Sequence, residues 1–293
     1  MSAQATCRAT EFAGLPTLEL ALPQGDRLQV SLHGAHVLSW VSSGQERLYL
    51  SPQSPFDGQS AIRGGVPVCF PQFNQRGPLA EQLPKHGFVR NVAWQADAPQ
   101  LNADSARLAL RLSDNASTRR WWPQAFEAQL QIDLQPGSLR MTLAVHNTDA
   151  QPLSFSGALH TYFAVPDVTQ ATLHGLAGQM EWDSLTNTYA TAPETLRFAA
   201  EFDRVYSASD NTAKPLNTTN MILNQSLRIS QSPNWANTVV WNPAQDLCRR
   251  LVDMPDDGWR HMLCVEAAQV FEPIQVPVDG HWAGWQQLQV LHR

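Results

Sequence analysis

Residues 126–146 read FEAQLQIDLQPGSLRMTLAVH, and their period decides the fold class. Phe126, Ala128, Leu130, Ile132 and Leu134 occupy alternate positions, with Glu127, Gln129, Gln131 and Asp133 between them. After Pro136-Gly137 the alternation resumes at Leu139, Met141, Leu143 and Val145. A period of two puts one set of side chains on each face of a strand. A Pro-Gly pair between two such runs reverses the chain, so the segment reads as an antiparallel hairpin with one buried face and one wet face.

The same reading extends outward. Leu108, Leu110 and Leu112 alternate just upstream. Further strands are expected at 17–22, 27–32, 36–41, 154–164, 221–229, 236–241, 261–267 and 284–291. Short strands at regular spacing point to a sandwich or barrel. No window carries a long helical stripe, and no repeat or dividing linker is present. The polar stretch 207–220 (SASDNTAKPLNTTN) reads as a surface loop. The expectation is one all-β domain over 1–293, mostly antiparallel, with few short helices.

Composition narrows the function classes. Hydrophobic residues at 43% supply a core and exclude wholesale disorder. Charged residues at 16%, against about 25% in an average domain, argue against a coiled coil. Lys and Arg total 20 against 26 Asp and Glu, a net charge of −6 with no basic stripe, so neither nucleic acid nor a membrane surface is expected as a partner. No run of 18 apolar residues predicts a transmembrane helix. With no leader pattern at the start, the expectation is a cytoplasmic protein whose Cys7, Cys69, Cys248 and Cys264 are reduced thiols. Ten tryptophans suit a thick core or a carbohydrate-facing cleft, the core being the default.

Residues 60–91, SAIRGGVPVCFPQFNQRGPLAEQLPKHGFVRN, break the strand pattern. Gly64-Gly65, Gly77-Pro78 and Gly87, with Pro67, Pro71 and Pro84, make this a long loop around a short strand, and such loops are commonly functional. Its aromatic residues argue for order. Arg63, Arg76, Lys85, His86 and Arg90 form a local cation cluster in an acidic protein, which suits an anionic ligand or, equally, a set of structural ion pairs. Glu266, inside the apolar run MLCVEAA, is the strongest single-residue signal, because a carboxylate in an apolar strand is costly unless paired or functional. His160, in FSGALHTYF, shares a strand face with Ser156, Ala158 and Tyr162; half-buried structural histidines are the commoner case. Asp203 has Arg204 as a neighbouring partner. His33 and His36 lie three apart, which on a strand points them to opposite faces, and no metal-binding spacing or nucleotide-binding motif occurs.

Taken together, Gly34-Ala-His-Val-Leu-Ser-Trp40, Ile62-Arg-Gly-Gly-Val-Pro-Val-Cys-Phe-Pro71, His86-Gly-Phe-Val-Arg-Asn91, Leu159-His-Thr-Tyr-Phe163, Asp203-Arg-Val-Tyr206 and the Glu266 strand resemble, in order, the hexose-6-phosphate mutarotases of the aldose-1-epimerase-like superfamily. The resemblance implies a galactose-mutarotase-like β-supersandwich with its site on a concave sheet face. It implies His160 and Glu266 as the catalytic pair, with Arg63, Arg90 and Asp203 as substrate contacts. Lys85 stands where the family carries Gln and is expected to reach a phosphate; His86 is expected to line the site. The implied reaction opens and recloses a hemiacetal ring, with Glu266 as base and His160 as acid. It needs no metal and no cofactor. The expected partner is a small phosphosugar, and a monomer is the working expectation. Plain sugars would leave Arg63, Lys85 and Arg90 unpaired. Two rivals are a non-catalytic carbohydrate-binding sandwich and a glycoside-processing enzyme using Asp203 and Glu266.

Overall fold

The hairpin forms as its alternation predicts. Phe126–Gln135 pairs antiparallel with Ser138–Asn147, placing Leu130 opposite Leu143 and Ile132 opposite Met141. Gly137 closes the turn at φ +65°, a conformation that glycine enters without a Cβ penalty. Ala106–Ser113 joins one edge of the pair and His281–Val290 the other. They belong to a sheet of ten strands among the described residues, which are 4–76, 80–207 and 218–291 of this computed structural model. Of the expected surface loop, 208–217 lies outside the described residues, as do Gly77 and Pro78.

A second sheet carries Val68–Cys69, Leu153–Leu159, Tyr162–Ala164, Met180–Asp183, Thr188–Thr191, Phe202–Ser207, Asn237–Asn242 and Met262–Val276. A third, smaller sheet runs in chain order through Thr6–Phe12, Leu15–Ala21, Arg27–Ser31, His36–Ser42 and Gln45–Glu46. The two large sheets pack face to face. Phe70 meets Phe126 at 5.3 Å between ring centroids, and Phe155 meets Trp282 at the same distance. Leucines 108, 110, 130 and 143 are sealed in one core cluster with these rings. The only α-helices among the described residues are Thr118–Trp121 and Ala244–Cys248. Among the described residues no helix is long and apolar enough to cross a membrane, and all four cysteines are unpaired.

Some expected strands need correction. The 154–164 segment is two strands, because the chain leaves the ladder at His160–Thr161. The 221–229 segment is also two, Thr219–Leu223 and Leu227–Gln231, reversed through Asn224 and Gln225 at positive φ. The strand expected at 261–267 runs on to Val276. Thr6–Phe12 and the Met180–Thr191 hairpin carry no long alternation to reveal them: the first is only partly buried, and the second pairs the four-residue Met180–Asp183 with exposed Thr188–Thr191.

Candidate active site

One face of the second sheet turns away from the inter-sheet core and forms the floor of a cleft of about 820 Å³. The long strand Met262–Val276 shows how. Val265 and Ala267 join the main core, whereas Glu266 and Val270 face the cleft. Its neighbour Asn237–Asn242 contributes Val239 and Trp241, and Phe202–Ser207 contributes Asp203 and Val205. A separate apolar cluster of Cys69, Phe73, Ala158, Trp182, Val205, Val239, Ala268 and Val270 supports this floor.

His160 reaches the cleft because the ladder breaks there. Its backbone N–H donates to Pro67 O at 3.0 Å instead of to a strand partner. The ring stacks on Tyr162 at 4.9 Å and 9° and lies edge-on to His86 at 5.3 Å. The 60–91 loop closes the other side. Gly64 and Gly65 take φ +112° and +59°, and a Cβ on Gly65 would run into Val37 O. His36 donates from Nε2 to Gly64 O at 2.7 Å, which fixes the turn next to Arg63. His33 contacts Ser60 O at 3.3 Å, so both histidines brace this loop. Gly87 presses on Phe70 O in the same way, bringing His86 and Arg90 over the floor.

All seven residues expected at the site line this cleft: Arg63, Lys85, His86, Arg90, His160, Asp203 and Glu266. His160 Nδ1 lies 3.4 Å from Glu266 Oε1, with the two side chains 10% and 1% exposed. Among the described residues neither His160 Nδ1 nor Glu266 Oε2 has a hydrogen-bond partner. Burial, reinforced by the charge of Asp203, pushes the Glu266 carboxyl well above its ordinary range. Burial and then the guanidiniums of Arg90 and Arg63 push His160 well below its own. Asp203 is raised by burial despite Lys85 and Arg76 nearby. At His86, the backbone N–H of Asn74 donates to Nδ1 at 3.1 Å, so the neutral ring carries its proton on Nε2.

The cation cluster is only partly committed to structural pairs. Arg63 is clamped by Asp253, through Nη2 at 3.0 Å and Nε at 3.1 Å, and Nη1 lies 3.4 Å from the Tyr162 hydroxyl. The expectation that a plain sugar would leave Arg63 unpaired is therefore corrected, since Asp253 already pairs with it. Asp253 was invisible in sequence because it lies 190 positions away. Arg90 donates to Lys85 O at 2.7 Å, and its Nε is buried without a partner among the described residues. Among the described residues neither Lys85 nor Arg90 has a carboxylate within ion-pair distance. Arg204 does not pair with Asp203. It points to the other face, to Glu181 at 2.7 Å and Asp183 at 3.4 Å, which leaves Asp203 for the cleft. Aromatic residues that sequence reasoning left out, Tyr162, Trp182 and Trp241, complete the lining. The donor atoms of His160, Cys264 and Glu266 also lie within 4.8 Å of one another, although no sequence spacing signals it.

Comparison with known proteins identifies the chain's relatives. The family model for aldose 1-epimerase matches residues 16–289. A curated protein of Escherichia coli K12, named "Putative glucose-6-phosphate 1-epimerase", is 34% identical over 269 residues, covering 89% of this chain and 87% of its own. A protein of the same name from Cenchrus ciliaris is 32% identical over 267 residues, covering 87% and 79%. The crystal structure of YeaD from Salmonella typhimurium, titled a "putative mutarotase", superposes with a TM-score of 0.86 at 28% identity, covering 98% of this chain and 94% of its own.

Proposed function

Because the chain belongs to the aldose 1-epimerase family, we propose that it interconverts the α and β anomers of a hexose 6-phosphate, glucose 6-phosphate foremost, by acid–base opening and closure of the sugar ring. The observation that carries the reading is the buried His160–Glu266 pair at 3.4 Å inside a cleft whose Lys85 and Arg90 lack carboxylate partners among the described residues. An imidazole and a carboxylate are what hemiacetal opening requires, and free cations are what a phosphate requires.

The pair works by exchanging one proton's position while remaining neutral. With the proton on His160, the imidazolium donates to the ring oxygen as the Glu266 carboxylate takes the proton of the C1 hydroxyl. The C1–O5 bond breaks and leaves an open aldehyde, a neutral imidazole and a carboxylic acid. Rotation about C1–C2 presents the other carbonyl face. Neutral His160 then takes the proton from the C5 hydroxyl as Glu266 returns one to the carbonyl oxygen, and the ring closes as the other anomer. Burial favours neutral groups, so it favours the open-chain half of this cycle. A phosphate dianion counters the charges of Arg90 and Arg63, which after burial disfavour the imidazolium of His160, and so eases its protonation when substrate is present. Asp203 accepts a sugar hydroxyl, and His86 offers Nε2–H as a donor.

The test is anomer exchange by NMR on equilibrated glucose 6-phosphate, with plain glucose alongside. Faster exchange for the phosphosugar is the expected result. Equal acceleration of both would remove the phosphate role, and acceleration of neither would overturn the reading. The binding-only and glycoside-processing alternatives are not favoured, since the chain's family is one of epimerases.

A further inference from the structure

We infer that His160, Cys264 and Glu266 form an inhibitory site for a thiophilic divalent cation such as zinc. The three donor atoms all lie within 4.8 Å of one another, and all three residues are buried. Imidazole nitrogen, thiolate sulfur and carboxylate oxygen are zinc's usual protein ligands. On two of these residues, His160 Nδ1 and Glu266 Oε2 are buried with no hydrogen-bond partner among the described residues.

The geometry is close to a binding arrangement. A donor triangle with edges of at most 4.8 Å has its centre no more than about 2.8 Å from each donor, and zinc bonds of about 2.0–2.3 Å then ask each side chain to move by roughly 0.6 Å. The 3.4 Å His160–Glu266 edge already fits a tetrahedral ion. Cys264 sits two positions before Glu266 on Met262–Val276, so both side chains leave the same strand face. His160 and Glu266 line the cleft, which supplies the path of entry and leaves the fourth position to a water or substrate oxygen. Charge does not forbid the complex: thiolate and carboxylate cancel the two positive charges of the ion, so the surrounding Arg63, Arg90 and Lys85 meet a neutral group. The thiol proton and the proton shared by the pair pass to solvent. The bound ion occupies both groups that the ring opening needs, so that inhibition, though not the binding, rests on the function proposed above.

The test uses the full-length protein, zinc-free, with Zn²⁺ as inhibitor and Co²⁺ as spectroscopic probe. Zinc is expected to suppress anomer exchange, and Co²⁺ to give a sulfur-to-metal charge-transfer band in the near ultraviolet. Cys264→Ala is expected to retain exchange, lose the band and need about 10- to 100-fold more zinc for inhibition, since even outer-shell partners weigh that much. Cys264→Ser covers the case in which the alanine variant does not fold. Absence of the Co²⁺ band in the wild-type protein, or equal zinc sensitivity in wild type and the folded variant, would overturn the site. If the protein shows no exchange activity at all, the function fails while the Co²⁺ spectrum still decides the site.

Discussion

Glu266 is held where burial and a neighbouring carboxylate both oppose its ionisation, and a residue kept there at that cost has a task. Glu266→Gln keeps the shape and removes the base; we expect anomer exchange to fall by about 10²–10⁴-fold with binding of glucose 6-phosphate retained, measured by NMR and calorimetry. Its importance was legible in the sequence, because a carboxylate inside MLCVEAA has to be paired or functional. Asp203 was less legible: its neighbour Arg204 suggested a partner, and only the strand's two faces show that they point apart. His36 affords a stability test. Burial, chiefly, lowers its pKa from 6.5 to about 4. Above pH 6.5 both folded and unfolded chains hold this ring neutral, and its contribution is complete. As pH falls towards 4 the unfolded chain gains a proton that the folded chain refuses, so stability drops by about 1.4 kcal/mol per pH unit, about 3 kcal/mol in all. Urea unfolding at pH 7 and pH 5 should show about 2 kcal/mol of this loss, and the His36→Gln variant should show a shallower one.

At the scale of elements, strands and loop differ in how far sequence could describe them. Period-two alternation located the hairpin and the neighbouring Ala106–Ser113 because each of those strands has a buried face and a wetter one opposite, whereas Met180–Asp183, Thr188–Thr191 and Phe202–Ser207 of the second sheet were not foreseen. It could not locate Thr6–Phe12, whose faces are similarly exposed. The 60–91 loop announced itself by glycines, prolines and cations, yet its anchors are remote: Arg63 is set by Asp253, and the Gly64–Gly65 turn by His36. Gly65→Ala forces a side chain at φ +59° against Val37 O. It should cost about 1–3 kcal/mol in thermal or urea unfolding. Arg90→Ala removes a cation with no competing carboxylate among the described residues and leaves the catalytic pair in place. It should raise KM for glucose 6-phosphate by about 10- to 100-fold, the worth of a charged hydrogen bond, with kcat changed far less.

Across the whole molecule the two large sheets are joined by more than apolar packing. Thr161 donates from its hydroxyl to Gln286 Oε1 at 2.5 Å, and Gln286 Nε2 donates to Val265 O at 3.0 Å. A side chain of the ten-stranded sheet thereby holds the residues next to both His160 and Glu266. Gln286→Leu strands buried polar groups and should lower unfolding stability by about 2 kcal/mol or more. Such a contact, 125 positions apart, has no local signature. The strand Met262–Val276 carries a further consequence, which is one of parity. Even-numbered Glu266 faces the cleft, and odd-numbered Val265 and Ala267 face the core. One residue inserted before Glu266 would exchange odd for even, driving a carboxylate between the sheets and a methyl group into the cleft, whereas two would restore the count. The same arithmetic operates during folding, where every odd slip of this strand is rejected by its own charge. The residue that makes the strand expensive to bury is therefore also what keeps its frame.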